Sequence, residues 1–146
     1  MTAQRFNILL VDDSPSDARL FEMALREVAP RVSLYWVATG EEALEALHRS
    51  ERLRGILGVD IVILDLNLPP TNGLTVLQRI KEDEKLVAQP VVVMSSSSDP
   101  DEIRRSYQLG ANAYHVKPMT LEGTQELLRC IARYWLDMAR LPKMLA

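Results

Sequence analysis

The stretch IVILD, residues Ile61–Asp65, consists of four apolar residues followed by an acid. Short runs rich in Val, Ile and Leu are typical of strands that are buried on both faces of a parallel sheet. Comparable runs lie at 8–11, Val32–Val37 and 91–94, and a weaker candidate lies at 111–116. The sequence therefore predicts five buried strands.

Residues with helical spacing separate these runs, for example Leu20 and Ala24. Ser14 before a proline, with Asp17 following, is typical of a helix start, and Asp99 before a proline repeats that pattern. Because strand and helix alternate five times, we predict an α/β fold with a doubly wound, five-stranded parallel sheet.

The composition indicates one globular domain of ordinary type. The chain has 146 residues, of which 47% are apolar and 25% charged, and its net charge is -3. This mild acidity argues against a nucleic-acid-binding module. No apolar run approaches about 18 residues, and the first residues lack the apolar core of a signal peptide. We therefore expect a cytoplasmic protein that binds neither nucleic acid nor a membrane.

Polar side chains follow four of the predicted strands. The first strand ends at Asp12-Asp13, the third at Asp65, the fourth at Ser95 and the fifth at Lys117. Ligands of open parallel sheets bind at this edge. Neighbouring carboxylates repel one another, which a magnesium ion with oxygen ligands relieves. A carboxylate can also accept a phosphoryl group, whose oxygens a lysine and a hydroxyl would stabilise. The set predicts a magnesium-dependent phosphoacceptor.

These five residues, in this order, resemble the signature of bacterial response-regulator receiver domains. Thirty residues separate Asp65 from Ser95, and twenty-two separate Ser95 from Lys117, as the family's pattern requires. The loop 68–73, LPPTNG, is similar to the loop after the family's phosphoacceptor, and its Asn-Gly pair is typical of a turn. The resemblance covers nearly the whole chain and implies a flavodoxin-like (βα)5 fold with strand order 2-1-3-4-5.

The resemblance also implies a role for each residue of the site. Asp65 would be phosphorylated, Lys117 would contact the phosphoryl group, and the Lys117–Pro118 peptide bond would be cis. Ser95 would move toward the phosphoryl group, and Tyr114 would turn from exposed to buried in response. The ligands of Mg²⁺ would be Asp13, Asp65, the backbone carbonyl of Asn67, and Asp12 either directly or through water.

We therefore expect residues 5–138 to form a receiver domain that takes a phosphoryl group from a sensor histidine kinase. It would act through protein contacts, not as a metabolic enzyme, with a C-terminal tail at 139–146 and no output domain. The segment ARYWL at 132–136, followed by Leu141-Pro142, is similar to stand-alone regulators paired with bacterial phytochrome kinases. That similarity implies a bacteriophytochrome as the partner kinase.

The last predicted helix carries more apolar residues than one buried face needs, and Leu141, Met144 and Leu145 add to them. We therefore expect a homodimer. Its contacts would be made by the fourth helix, the fifth strand, the fifth helix and the tail.

Three alternatives remain open. A phosphatase of the haloacid dehalogenase type would need an aspartate two residues after Asp65, where Asn67 cannot deliver a proton. A flavin-binding protein would need a phosphate-cradling loop where Asp12 and Asp13 repel phosphate. A receiver-like module that is never phosphorylated usually lacks one residue of the set, all of which are present here.

Other residues receive a structural interpretation. The single cysteine, Cys130, excludes an intrachain disulfide and is expected to pack on the apolar side of the last helix. His48 and His115 have no second ligand at metal spacing and are interpreted as surface residues. Trp36 is interpreted as structural and remote from the site. Residues 49–58 are expected to form a long connection.

Overall fold

Alternating strands and helices build one five-stranded parallel sheet in the computed structural model, which describes residues 6–52 and 58–142. The strands are β1 (Phe6–Val11), β2 (Val32–Val37), β3 (Ile61–Asp65), β4 (Val91–Ser95) and β5 (Ala113–Val116). Their order in the sheet is β2-β1-β3-β4-β5, and all four pairings are parallel. The predicted fold class and strand order are confirmed.

Five helices cover the sheet: α1 (Pro15–Val28), α2 (Gly40–Arg52), α3 (Gly73–Glu82), α4 (Pro100–Gln108) and α5 (Leu121–Ile131). A π-helical segment, Ala132–Met138, continues α5. Both predicted caps form: the Ser14 hydroxyl accepts from the Asp17 N–H at 3.2 Å, and the Asp99 carboxylate accepts from the Asp101 N–H at 3.2 Å.

The sheet is buried on both faces because successive side chains of a strand point to opposite sides. On one side, Ile8 and Leu10 belong to a core cluster with residues of α1 and α5. On the other, Leu9 and Val11 belong to a cluster with residues of α2 and α3. Every residue of the central strand β3 is buried. This two-sided burial explains its continuous apolar run.

Three expectations differ from the structure or lie partly outside it. The connection expected at 49–58 begins later, because α2 continues to Arg52; residues 53–57 are outside the described part. Cys130 is exposed and does not pack in the core, because α5 turns Leu128 and Ile131 inward and Cys130 away. The helical segment ends at Met138, directly before the tail expected at 139–146, and residues 143–146 of that tail lie outside the described residues. No described helix has the length and apolarity needed to cross a membrane.

Gly73, the first residue of α3, lies against the backbone that follows β3. Its N–H donates to the Leu66 carbonyl at 2.9 Å, and a Cβ there would lie 2.5 Å from Leu66 Cα and 2.6 Å from the Asp65 oxygen. Because this backbone cannot move aside, we expect Gly73→Ala to lower the free energy of unfolding by about 2–3 kcal/mol in urea denaturation.

The matched control is Gly58→Ala, because a Cβ on Gly58 would meet nothing within 4 Å. We expect this control to change the free energy of unfolding by less than about 1 kcal/mol. A Gly73→Ala variant as stable as the Gly58→Ala control would contradict the close approach.

Candidate functional site

Three carboxylates meet at the carboxyl edge of the sheet. Asp12 and Asp13 follow β1, and Asp65 ends the adjacent strand β3. One ligand oxygen from each residue lies within 4.8 Å of the others. Asp12 and Asp65 are 1% and 6% exposed, while Asp13 faces solvent. The structure thus brings together the three acids that follow the predicted strands.

Lys117, directly after β5, reaches this cluster with its ammonium group. Its Nζ donates to Asp12 Oδ2 at 2.9 Å, to Asp65 Oδ2 at 2.8 Å and to Asp17 Oδ2 at 2.8 Å. Asp17 was not among the predicted site residues. The sequence presents it only as an acid in the first turn of α1, and such acids are common at helix starts whether or not a site is near.

One ammonium therefore serves three carboxylates. Burial by itself lowers the pKa of Lys117, but hydrogen bonds to Asp17, Asp65 and Asp12 outweigh it and hold the pKa above its ordinary value. Burial raises the pKa of Asp12, against the opposing effect of its bonds with Lys117 and Ser14. Lys117 stays charged at neutral pH. The region still has an excess of acid, which favours a further cation.

Each buried carboxylate is oriented by the loop that follows it. Asp12 Oδ1 accepts from the Ser14 N–H at 2.9 Å, and Asp65 Oδ1 accepts from the Asn67 N–H at 3.0 Å. The second oxygen of each group faces Lys117. These paired contacts fix both carboxylates before any ligand arrives. The N–H of Asn67 therefore orients Asp65, whereas the role of the Asn67 carbonyl as a metal ligand stays a prediction.

Trp36 touches the site, so the interpretation of this residue as remote is wrong. Its indole Nε1–H donates to the backbone carbonyl of Asp12 at 2.7 Å, while the residue is 45% exposed. The cause is strand register: β2 lies beside β1, with Trp36 opposite Leu10, two residues before Asp12. The indole thus holds the peptide that joins Asp12 to Asp13.

The hydroxyl of Ser95, at the end of β4, is engaged with α4. It donates to Glu102 Oε1 at 2.9 Å and accepts from the Ser97 N–H at 3.2 Å. The Tyr114 phenol donates to the Ser97 carbonyl at 2.8 Å and lies 3.3 Å from the same Glu102 oxygen. Burial raises the pKa of Tyr114, and the charge of Glu102 raises it further.

Tyr114 was expected to be exposed before phosphorylation, but the structure has it half-buried. The Ser97 carbonyl and Glu102 supply acceptors that hold the phenol inward. Glu102 was not among the predicted site residues, because its position in the first turn of α4 is typical of a capping acid.

The Lys117–Pro118 bond, expected to be cis, is not. In the described part of the chain the cis peptide bond is Pro69–Pro70. A bond before proline prefers trans by only about 0.5–1 kcal/mol, so the local sequence does not fix its isomer. Lys117 makes all three of its carboxylate contacts without a cis bond at Pro118.

The two histidines differ in surroundings. Both are half-buried and not simply surface residues as interpreted: His48 has its Nε2 3.3 Å from Asp83 Oδ2, and His115 lies on β5. Burial lowers the pKa of His115 from its ordinary value of 6.5. Below that pH the unfolded chain therefore binds a proton that the folded chain does not, and stability falls as the pH falls.

We expect the urea midpoint of the native chain to fall between pH 7.5 and pH 5.5 more steeply than that of His115→Gln. Equal slopes in the native chain and His115→Gln would contradict the assignment of this titration to His115.

Comparisons with known proteins give a consistent result. Residues 8–129 match the family model described as response regulator receiver domain. The chain is 36% identical to the probable methanogenesis regulatory protein FilR2 of Methanothrix harundinacea, over 94% of this chain and 88% of that protein. It resembles the crystal structure of the phosphorylated cyanobacterial phytochrome response regulator RcpA, with a TM-score of 0.85, 35% identity, and coverage of 96% and 100%. It also resembles the Mn²⁺-bound form of Rcp1, the response regulator of Synechocystis, with a TM-score of 0.79, 32% identity, and coverage of 94% and 99%.

Proposed function

The chain belongs to the response regulator receiver domain family, and on that premise we propose that it accepts a phosphoryl group on Asp65 from the phosphohistidine of a sensor histidine kinase. One observation carries this proposal. The buried carboxylate of Asp65 lies within 4.8 Å of the Asp12 and Asp13 oxygens and 2.8 Å from the Lys117 ammonium. A carboxylate nucleophile that lies beside two further carboxylates able to bind a metal, and beside the ammonium of Lys117, is suited to phosphoryl transfer.

In the transfer, an oxygen of Asp65 forms the new bond to phosphorus. The P–N bond to the kinase histidine breaks, and the imidazole nitrogen keeps the electron pair. Lys117, held in the charged form by its carboxylate partners, offsets the negative charge of the phosphoryl oxygens. The Ser95 hydroxyl supplies a donor from the adjacent strand β4. The protein is thus a phosphoacceptor in signalling, not a metabolic enzyme.

The oxygen ligands of Asp12, Asp13 and Asp65 fit a hard divalent cation, and we place Mg²⁺ among them, with the Asn67 carbonyl as a further ligand. When bound, Mg²⁺ supplies positive charge for the phosphoryl oxygens. The Mn²⁺-bound form of the similar protein Rcp1 supports a divalent cation in this family.

Trp36 offers a direct readout of metal binding, because its indole is bonded to the Asp12 carbonyl at 2.7 Å. The chain has two tryptophans, so a Trp135→Phe variant isolates the Trp36 signal. We expect Mg²⁺ to change its fluorescence saturably, and expect Asp13→Ala to abolish that change. A saturable change that persists in Asp13→Ala would contradict the metal site.

The proposed activity is tested by incubating the native chain with acetyl phosphate, with either Mg²⁺ or EDTA. We expect intact-mass analysis to detect one added phosphoryl group with Mg²⁺ and none with EDTA. Absence of the adduct with Mg²⁺ would overturn the proposal in favour of a receiver-like module that is never phosphorylated. Sustained release of phosphate from p-nitrophenyl phosphate would overturn it in favour of a phosphatase.

For the partner, we propose a bacteriophytochrome kinase in the cytoplasm, because RcpA is a phytochrome response regulator. We further propose that residues 5–138 act as the receiver. The test is phosphotransfer from purified histidine kinases. Faster transfer from a non-phytochrome kinase than from any bacteriophytochrome would contradict the pairing.

We also propose a homodimer through α4, β5, α5 and the tail. Four apolar side chains along this region support it: Val116, Met119, Tyr134 and Met138 are 51%, 87%, 54% and 65% exposed. Other members of the apolar stripe have a partner already, since Trp135, Leu136 and Leu141 pack against the core. A concentration series in light scattering is expected to reveal a dimer, and monomer alone at every concentration would contradict it.

A further inference from the structure

The hydroxyl groups of the two expected switch residues lie at a single carboxylate oxygen. Ser95 donates to Glu102 Oε1 at 2.9 Å, and the Tyr114 phenol oxygen is 3.3 Å from that atom. Glu102 is half-buried in the first turn of α4, so this carboxylate joins β4, α4 and β5. A residue that contacts both groups is placed to control both.

A serine hydroxyl has one proton to donate. In the structure that proton goes to Glu102, while the lone pairs of the same oxygen face the Ser97 N–H at 3.2 Å. Ser95 therefore cannot donate to a phosphoryl group on Asp65 without releasing Glu102. The acceptor is a carboxylate, and hydrogen bonds to charged groups are stronger than neutral ones.

We propose that Glu102 is a positioning residue that holds the Ser95 hydroxyl proton until the phosphoryl group on Asp65 competes for it. The inference rests on the proposed function of Asp65. The Glu102 carboxylate and the phosphoryl group then compete for one donor. Ser95 donates to the phosphoryl group once that group is fully charged and lies beside Lys117. The strength of the Ser95–Glu102 hydrogen bond therefore determines how much free energy the phosphoryl group must supply to release the hydroxyl.

The neighbouring contacts allow this exchange at little cost. Glu102 lies in the first turn of α4, where the positive end of the helix stabilises a carboxylate without Ser95. Tyr114 keeps its 2.8 Å bond to the Ser97 carbonyl when Glu102 shifts. This second bond also explains why the tyrosine is already inward. The exchange at Ser95, and not the turning of Tyr114, is then the step that phosphorylation triggers.

The test compares initial rates of phosphorylation by acetyl phosphate and Mg²⁺, followed by intact mass. Loss of a hydrogen bond to a charged group corresponds to about a tenfold effect, so we expect Glu102→Ala to raise the rate about tenfold. Glu102→Gln keeps a neutral acceptor and should give a smaller rise. In a Ser95→Ala background, Glu102→Ala should have no effect on the rate.

The matched control is Asp101→Ala, which removes the adjacent acid of the same helical turn, an exposed residue bonded to Arg104 at 3.0 Å. We expect it to leave the rate unchanged. Equal rates for Glu102→Ala and Asp101→Ala, or a rise that persists without Ser95, would overturn the inference.

A second measurement does not depend on phosphorylation. The Ser97 amide donates to the Ser95 oxygen, so its ¹⁵N–¹H resonance in the unphosphorylated protein should shift in Glu102→Ala and not in Asp101→Ala. Absence of this shift overturns the inference even if phosphorylation proceeds. If Glu102→Ala shifts this resonance but acetyl phosphate never modifies the native chain, the result counts against the proposed function and not against the contact of Glu102 with Ser95.

Discussion

The Asp65→Asn variant is expected to gain no phosphoryl group from acetyl phosphate in the presence of Mg²⁺. Its amide is a poor nucleophile, whereas the native carboxylate carries the charge that attacks phosphorus. The amide oxygen can still accept from the Asn67 N–H, which the native Oδ1 does at 3.0 Å, so the loop after β3 keeps its anchor. Intact-mass analysis of native and variant chains under the same conditions measures the difference.

Asp101→Asn serves as the matched control because it makes the same chemical change at an exposed acid in α4. We expect this control to be modified to the native extent. Far-ultraviolet circular dichroism should show that both variants are folded. An Asp65→Asn chain that is modified to the native extent would contradict Asp65 as the phosphoacceptor.

The sequence was most informative where burial is most uniform. The run at 61–65 predicts β3 to the residue, because a strand that is apolar on both faces leaves a continuous signal. The end of α2 was placed too early because its last turns are rich in charged residues, as in an exposed helix. The strand expected at 111–116 starts at Ala113, since the Ala111 N–H still bonds to Ser106 of α4.

Topology explains which site residues the sequence could predict. Asp65 and Ser95 end strands of one parallel sheet and Asp12 directly follows another, so the strand assignment alone brings them to one edge. Asp17 and Glu102 enter the site from the first turns of helices. A capping acid looks the same in sequence whether it faces a site or solvent.

Trp36 and the proline bonds required information that the sequence lacks. The contact of Trp36 with the Asp12 carbonyl depends on the register between β2 and β1, which no local pattern sets. The isomer of a bond before proline depends on tertiary contacts, because the intrinsic preference is only about 0.5–1 kcal/mol. Both are consequences of packing between segments that are distant in sequence.

Lys117→Met is expected to lower the phosphorylation rate by about 100-fold or more, because it removes a fixed charge from the developing negative phosphoryl oxygens. Methionine keeps much of the apolar stem of lysine, so the change is mainly one of charge. The measurement is the initial rate of adduct formation with acetyl phosphate and Mg²⁺.

The same variant should be less stable without metal. Lys117 is bonded to Asp12 and Asp65, whose side chains are only 2% and 9% exposed. Removing one partner of a buried ion pair costs about 3 kcal/mol, so we expect a loss near that size in urea denaturation at pH 8. Without the ammonium, the pKa of Asp12, which burial already raises, should rise further. The folded variant would then bind protons more readily than the unfolded chain, and the deficit should shrink toward pH 5.

Lys81→Met separates charge from packing. Lys81 is also half-buried, but its Nζ donates to the carbonyls of Gln89 at 2.6 Å and Val87 at 3.2 Å. Loss of this lysine leaves no buried carboxylate without a cation, so neither acid nor Mg²⁺ should restore the stability of Lys81→Met.

For Lys117→Met, Mg²⁺ should restore stability in place of the ammonium, since the ion and the lysine neutralise the same oxygens. A Lys117→Met deficit that is the same at pH 5 and pH 8, and indifferent to Mg²⁺, would mean that Lys117 acts by filling space. That result would contradict the conclusion that the charge of Lys117 offsets the repulsion between the carboxylates when no metal is bound.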